Sequence, residues 1–242
     1  TLHERFFEGD HKQVNLFIAG VGNVGEKLLV QIKQQRKYLK EHLKLNLRVI
    51  GVSNSKKMYF KSDGMDLKTW KEELKNGEIA RLDGFRKKAI DLNLRNSVFV
   101  DVTASAAVSK EYIYYLKESI AVVACNKIAC SAALEDYQQL KSYALKYNAP
   151  FLFETNVGVG LPIIDTLQNL MASGDKIVSI QAVLSGSLNF VFNNFTDQTK
   201  FHDVVQQAQE QGYTEPDPRI DLSGVDVARK ILILARESGL AM

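Results

Sequence analysis

The sequence predicts an α/β fold: a Rossmann-type, doubly wound parallel sheet followed by the start of an α+β domain. Three observations predict it. Short apolar runs alternate with stretches of helical spacing from residue 14 to about residue 150, the rhythm of parallel strands covered by helices on both faces. The first apolar run leads straight into a glycine-rich turn that opens a helix. After "PFLFETNVGVGLP" (150–162) the rhythm changes, which puts a domain boundary near residue 152. The chain then divides into a linker remnant (1–13), the sheet domain (14–152) and a second domain (153–242) that is cut short at its carboxyl end.

Each element has its own justification. "VNLFIAG" (14–20) ends at glycine, as a buried parallel strand does, and the spacing turns helical from Asn23 to about Leu43. "LNLRVIGVS" (45–53) reads as the second strand, and Leu67 to Lys75 and Gly84 to Asp91 as polar-faced helices. "SVFVDVT" (97–103) and "IAVVAC" (120–125) are further apolar strands with a helix between them, and another helix follows from Ser131 to Tyr147. In the second domain a helix near 162–172 leads into "KIVSIQAVLSGS" (176–187), which reads as a strand. Helices near 201–211 and 224–239 come after it.

Composition excludes several classes of function. The 242 residues suffice for one large or two smaller domains, and 45% hydrophobic with 24% charged content is ordinary for a globular chain. A net charge of +3 without a long basic run gives nucleic-acid binding no support. No apolar run approaches bilayer length and no signal peptide stands out. Two cysteines, Cys125 and Cys130, make no disulfide framework, so a reducing compartment, the cytoplasm, is expected. The four histidines are too scattered for a zinc site. The opening "TLHERFFEGDHKQ", without an initiator Met, and the stop at "SGLAM" both read as cuts through a longer protein.

The glycine turn is "GVGNVG", with Gly20, Gly22 and Gly25 in G-x-G-x-x-G spacing between a strand and a helix. The first glycine makes the turn, the second lets backbone approach a pyrophosphate, and the third lets the helix pack on its strand. A βα turn without a ligand is the bland alternative. The second strand ends in "SNSKK" rather than an acid, and an acid there usually holds the ribose 2′-hydroxyl of NAD. Asn54, Lys56 and Lys57 suit a 2′-phosphate instead; a solvated lysine pair is the alternative. Thr103 and Lys127 fall at carboxyl ends of strands, where ligands bind in open α/β sheets. Cys125 follows an apolar strand with no base nearby, so an inert thiol is favoured over a nucleophile.

In "ETNVGVGL" (154–161), alternating carbonyls of Val157, Val159 and Leu161 with the Glu154 carboxylate would line one oxygen-rich hole. A single carboxylate suits a monovalent ion better than calcium, although spacing alone favours a plain turn. A sharper signal is "GYTEPDPRIDLSGVDVARK" (212–230). Its prolines force an extended connector, and Asp221 or Ser223 is placed to cap the helix that follows. On that helix Asp226 and Lys230 are i, i+4 neighbours among Val225, Val227, Ile231, Leu232, Ile233 and Leu234. Ionisable groups on an apolar helix are expensive to bury, which favours a functional pair over a structural one.

Together with "FIAGVGNVG", "NK" (126–127), "ETNVGVGLPII" and "LSGSLNF" (184–190), this stretch resembles the homoserine dehydrogenase family, motif by motif from Val14 onward. "LHERFF" resembles the segment that joins the two halves of bifunctional aspartokinase–homoserine dehydrogenases. The resemblance implies interconversion of L-aspartate 4-semialdehyde and L-homoserine with NADP or NAD. It also implies a homo-oligomer and a fused aspartokinase half. Lys230 would donate a proton to the carbonyl oxygen, and Asp226 would orient it and hold substrate. Glu215 and Asp221 would complete the pocket, and Lys127 would lie between nicotinamide and substrate. Gly20, Gly22, Asn23, Val24, Gly25, Asn54, Lys56, Thr103 and Lys127 would hold the cofactor. Glu154, Val157, Val159 and Leu161 would hold sodium or potassium. The chain departs from the family pattern at Ala124-Cys125 (commonly Thr-Pro), at Ile128 (commonly Lys) and at Val159 (usually Ala). Two rival functions are another NAD(P)-dependent reductase of small amino-acid precursors and a non-catalytic dinucleotide sensor. A sensor has no use for the Asp226–Lys230 pair.

Overall fold

The computed structural model describes residues 11–214 and 216–242. The chain divides into two compact units: the described residues up to Ala129 with Glu135–Phe153, and Cys130–Leu134 with Glu154–Met242. The expected linker remnant therefore lies largely outside the described residues, as does Glu215.

In the first unit the apolar runs become strands β1 (Lys12–Ala19), β2 (Leu45–Ser53), β5 (Ser97–Asp101) and β6 (Ala121–Ala124). Three short strands join them: β3 (Lys57–Phe60), β4 (Glu78–Ile79) and β7 (Phe151–Leu152). The sheet order is β4-β3-β2-β1-β5-β6-β7. All neighbours from β2 to β7 are parallel, while β3 and β4 add antiparallel pairs at one edge. Strand order reverses between β1 and β5, which opens a crevice at their carboxyl ends.

Alternation along the strands feeds two different cores. On one face Leu16, Ile18, Val49, Val52 and Val100 pack with Leu29 and Ile32 of helix α1 (Asn23–Leu43) and with Trp70 and Leu74 of α2 (Trp70–Lys75). The other face carries an aromatic row. Phe17 meets Phe60, Phe60 meets Phe85 of α3 (Leu82–Asp91), and Phe85 meets Phe99. Phe99 stacks on Tyr115 at 4.1 Å between ring centroids, and Tyr112 continues the row to Phe151. The expected single helix between β5 and β6 is two short ones, α4 (Ala106–Ser109) and α5 (Tyr112–Lys117), and α6 (Leu134–Lys146) follows β6.

The second unit is helical among its described residues. Its helices are α7 (Ile163–Ala172), α8 (Gly186–Asn194), α9 (Phe201–Glu210), α10 (Pro218–Leu222) and α11 (Val225–Glu237). The strand expected at 176–187 is not there: residues 175–185 belong to no helix or strand. A strand needs a partner for its backbone groups, and this unit offers none among the described residues. The apolar side chains of the stretch are left outward, with Val178 94% exposed. Its last residues instead start α8, where the Ser185 hydroxyl accepts from the Leu188 N–H at 3.1 Å. Buried Arg236 donates to the carbonyls of Cys130, Ala132 and Met242, which ties three segments of the unit together.

Phe99 is the junction of the aromatic row. Phe99→Ala is expected to cost roughly 3–5 kcal/mol of stability, read as a lower midpoint in equilibrium urea denaturation at unchanged slope.

Candidate active site

The glycine loop at the end of β1 fits a pyrophosphate. Gly20 has φ +94°, and a Cβ there would lie 2.7 Å from the Val102 carbonyl oxygen. A Cβ on Gly25 would lie 2.0 Å from the Gly20 carbonyl oxygen, so only glycine lets α1 start this close to its strand. Nothing lies within 4 Å of a Cβ built on Gly22, and no side chain caps the helix. Gly22, Asn23 and Val24 are exposed. Open space at a helix N-terminus whose N–H groups await an acceptor is what a phosphate requires.

Beside the loop is a cavity of about 330 Å³. Gly20, Asn54 and Thr103, all singled out from sequence, line it together with Ser53, Ser55 and Arg81. The Asn54 side-chain oxygen accepts from the backbone N–H groups of Lys56 and Lys57 at 2.8 and 2.7 Å, so this residue shapes the turn. Lys57 reaches away from the cavity and donates to the Gly77 carbonyl at 2.8 Å. Lys56 is exposed on the same turn but outside the cavity lining. Arg81 escaped the sequence reading. Its place depends on the antiparallel β3–β4 pair, beside which the Ala80 N–H donates to the Lys56 carbonyl at 2.9 Å and brings residues 80 and 56 together. No periodicity announces that contact.

At the end of β5 lies buried Asp101, which the sequence reading also missed. Its carboxylate accepts from the Thr103 N–H at 2.7 Å, from the Asn126 amide at 3.0 Å and from the Tyr112 hydroxyl. The Asn126 amide also donates to the Ser105 carbonyl at 3.0 Å, and its oxygen accepts from the Ile128 N–H at 3.1 Å. The turn that carries half-buried Lys127 is thereby fixed to the turn that carries Thr103. Burial pushes the neighbouring Cys125 thiol up, Asp101 raises it further, and Lys127 opposes both. An inert thiol is the outcome at neutral pH.

In the second unit the structure brings Lys230, with its partner Asp226, and Asp221 to residues 184–187. The Lys230 ammonium lies 2.7 Å from an Asp226 carboxylate oxygen and donates to the Leu184 carbonyl at 2.7 Å. The Ser187 hydroxyl donates to Asp221 at 2.8 Å and lies 2.9 Å from the Ser185 hydroxyl. Of the two residues placed to cap α11, Asp221 is engaged by Ser187, while the Ser223 hydroxyl accepts from the Val225 N–H at 3.4 Å. The pair is also less enclosed than the apolar pattern implies: Lys230 is 18% exposed and Asp226 55%. The reason is that α11 buries only Ile233, Leu234, Arg236 and Glu237, all toward its end. Asp217 caps α10 and pairs with Arg219 at 2.7 Å.

The 154–161 turn has a different division of labour from the expected hole. Both Glu154 carboxylate oxygens accept backbone N–H groups that open α7, from Ile164 and Asp165, each at 2.9 Å. Val159 is held at φ +57° and is 84% exposed, while Val157 is buried. The Leu161 carbonyl accepts from the Ile163 N–H at 2.9 Å.

Known families match these two halves in turn. The model described as homoserine dehydrogenase, NAD binding domain, matches residues 20–154, and the model described as homoserine dehydrogenase matches residues 162–242. The chain is 43% identical to a chloroplastic bifunctional aspartokinase/homoserine dehydrogenase 2 of Arabidopsis thaliana, covering all of this chain and 26% of that protein. It is 42% identical to the bifunctional aspartokinase/homoserine dehydrogenase of Haemophilus influenzae, with 100% and 30% covered. The chain thus spans between a quarter and a third of the length of these relatives. A hyperthermophilic archaeal homoserine dehydrogenase in complex with NADPH superposes with TM-score 0.78 at 26% identity, covering 94% of this chain and 70% of that one.

Asp101→Asn tests the network, because an amide cannot accept all three donors. Stability is expected to fall by about 1–3 kcal/mol for each donor left unpaired. Loss of the negative charge also removes one cause of the raised Cys125 pKa, so iodoacetamide labelling of Cys125 should gain rate at lower pH than in the parent. An unchanged labelling profile would separate Cys125 from Asp101.

Proposed function

The chain belongs to the homoserine dehydrogenase family, and from that premise we propose that it catalyses NAD(P)-dependent interconversion of L-aspartate 4-semialdehyde and L-homoserine. The observation that carries the proposal is the state of Lys230. An ammonium has three N–H groups, and two acceptors, the Asp226 carboxylate and the Leu184 carbonyl, hold it among the described residues. The third N–H remains for a substrate oxygen.

A bound reduced nicotinamide supplies hydride transfer to the aldehyde carbon. Everything else is the work of this chain. The loop Gly20 to Gly25 would hold the pyrophosphate, with Asn23 and Val24 at the helix start, and Thr103 and Lys127 would flank the nicotinamide end. Lys230 would give its proton to the carbonyl oxygen as negative charge develops there, and in the reverse direction recover it from the hydroxyl. Asp226 keeps that lysine aimed. Asp221, with Glu215, would take the amino group of the substrate. Ser187 and Ser185 steady Asp221 from behind. A sodium or potassium ion would be held by the Glu154 carboxylate and the carbonyls of Val157, Val159 and Leu161.

NADP should bind at least as well as NAD, since no acid follows β2. Fusion to an aspartokinase half, as in the relatives named above, assembly into a homo-oligomer and a reducing compartment such as the cytoplasm complete the proposal. No helix among the described residues is long and apolar enough to cross a membrane.

Homoserine-dependent reduction of NADP by the full-length protein is the direct test. In that protein Lys230→Ala is expected to lower kcat by roughly 10²–10⁴-fold, with NADPH affinity retained because the glycine loop is untouched. Near-normal kcat per folded molecule, with folding checked by thermal melt, would remove Lys230 from the mechanism.

A further inference from the structure

The cavity beside the glycine loop contains one cationic side chain in its lining. Arg81 is the only lysine or arginine among the described lining residues, which include Ser53, Asn54 and Ser55 at the end of β2. The lining also holds one acid, Glu111, which is already paired with Arg86. Sequence adjacency nominates Lys56 and Lys57 as the cations that follow β2, but Lys57 is committed elsewhere. Its ammonium donates to the Gly77 carbonyl at 2.8 Å and its backbone N–H is held by Asn54. Arg81 enters by a different route. The Ala80 N–H bonds the Lys56 carbonyl at 2.9 Å, so the segment leading into α3 is pinned to the very turn on which a ribose 2′-substituent would lie.

The side chain is available. Its carboxylate neighbour is Asp83, 3.4 Å away, and both are largely exposed, a pair that costs little to open. A guanidinium presents parallel N–H groups that match a phosphate bidentately, and it stays charged at any working pH. We propose that Arg81 is the specificity-determining residue for the cofactor's 2′-phosphate, with Lys56 as its partner, and that Lys57 has a structural role. This rests on the reading that the crevice binds a nicotinamide dinucleotide.

The test measures binding directly in the full-length protein. NADPH and NADH are titrated by nicotinamide fluorescence, and 2′,5′-ADP and 5′-AMP by calorimetry, against the parent, Arg81→Ala, Arg81→Lys and Lys57→Ala. Arg81→Ala should weaken NADPH and 2′,5′-ADP by roughly 10–100-fold and leave NADH and 5′-AMP within about twofold. Arg81→Lys should recover part of the loss, as charge without the planar fork would. Lys57→Ala should leave the NADPH to NADH ratio unchanged. Equal loss of both cofactors in Arg81→Ala, or a selective NADPH loss in Lys57→Ala, overturns the assignment. A parent protein that binds neither dinucleotide overturns the underlying reading, and this proposal with it.

Discussion

The carboxyl edge of the sheet depends on one buried carboxylate. Asp101 ends β5 at the point where strand order reverses, and its three donors among the described residues are all neutral. A charge taken out of water without a counter-charge persists only where it accepts several good hydrogen bonds. Here the donors come from three separate segments: the turn after β5, helix α5 and the turn after β6. Each donation that steadies the charge also fixes a piece of the ligand-facing edge. The arrangement makes Thr103 and Lys127 a single rigid constellation even though 24 positions separate them in sequence. Rigid placement on a sheet edge is what a reaction sensitive to small displacements requires.

The second unit uses buried polarity in the same way with different partners. Arg236 is buried on three carbonyls and Glu237 on the Gln168 amide at 2.6 Å. These adjacent residues of α11 lock its carboxyl half, while its amino half carries exposed Asp226 and the largely covered Lys230. One helix is thus divided between anchoring and chemistry. The division explains why an almost wholly apolar sequence can present an ion pair near the surface without burying it.

Legibility in the sequence follows the range of the interactions involved. The parallel strands and α1 were readable because apolar runs and 3.6-residue spacing are local. Strands β3, β4 and β7, of two to four residues, are too short to show a period, and β3 and β4 exist because an edge was free to pair with. The segment 176–187 has strand-like composition, yet composition cannot supply a partner, and Ser185 near its end found a use as a helix cap. The glycine loop was readable because Gly20 and Gly25 answer local steric demands, while Gly22 leaves open space at the helix start. Arg81 and Asp101 were not: the first is placed by a contact beside the β3–β4 pair, the second by burial. The depth of the Asp226–Lys230 pair was overestimated for a related reason, that an apolar helix need not bury its whole length.

The turn from Glu154 to Leu161 shows how a helix cap and a candidate ion site depend on each other. Each Glu154 oxygen holds one of the first N–H groups of α7, which fixes the distance between the start of the turn and the start of the helix. The residues between must close that span, and they do so with Gly158 at φ +78° and Val159 at φ +57°. Left-handed backbone is unfavourable for a β-branched residue and persists where the surroundings over-determine it. Gly158 cannot relax by exchange, because a Cβ there would lie 2.6 Å from Ile163 Cγ1. The Glu154 carboxylate therefore braces the turn, and each of its oxygens keeps a further lone pair that a cation would use together with the carbonyls of the turn. A single carboxylate with neutral carbonyls would match the weaker demand of a monovalent cation rather than that of a divalent one.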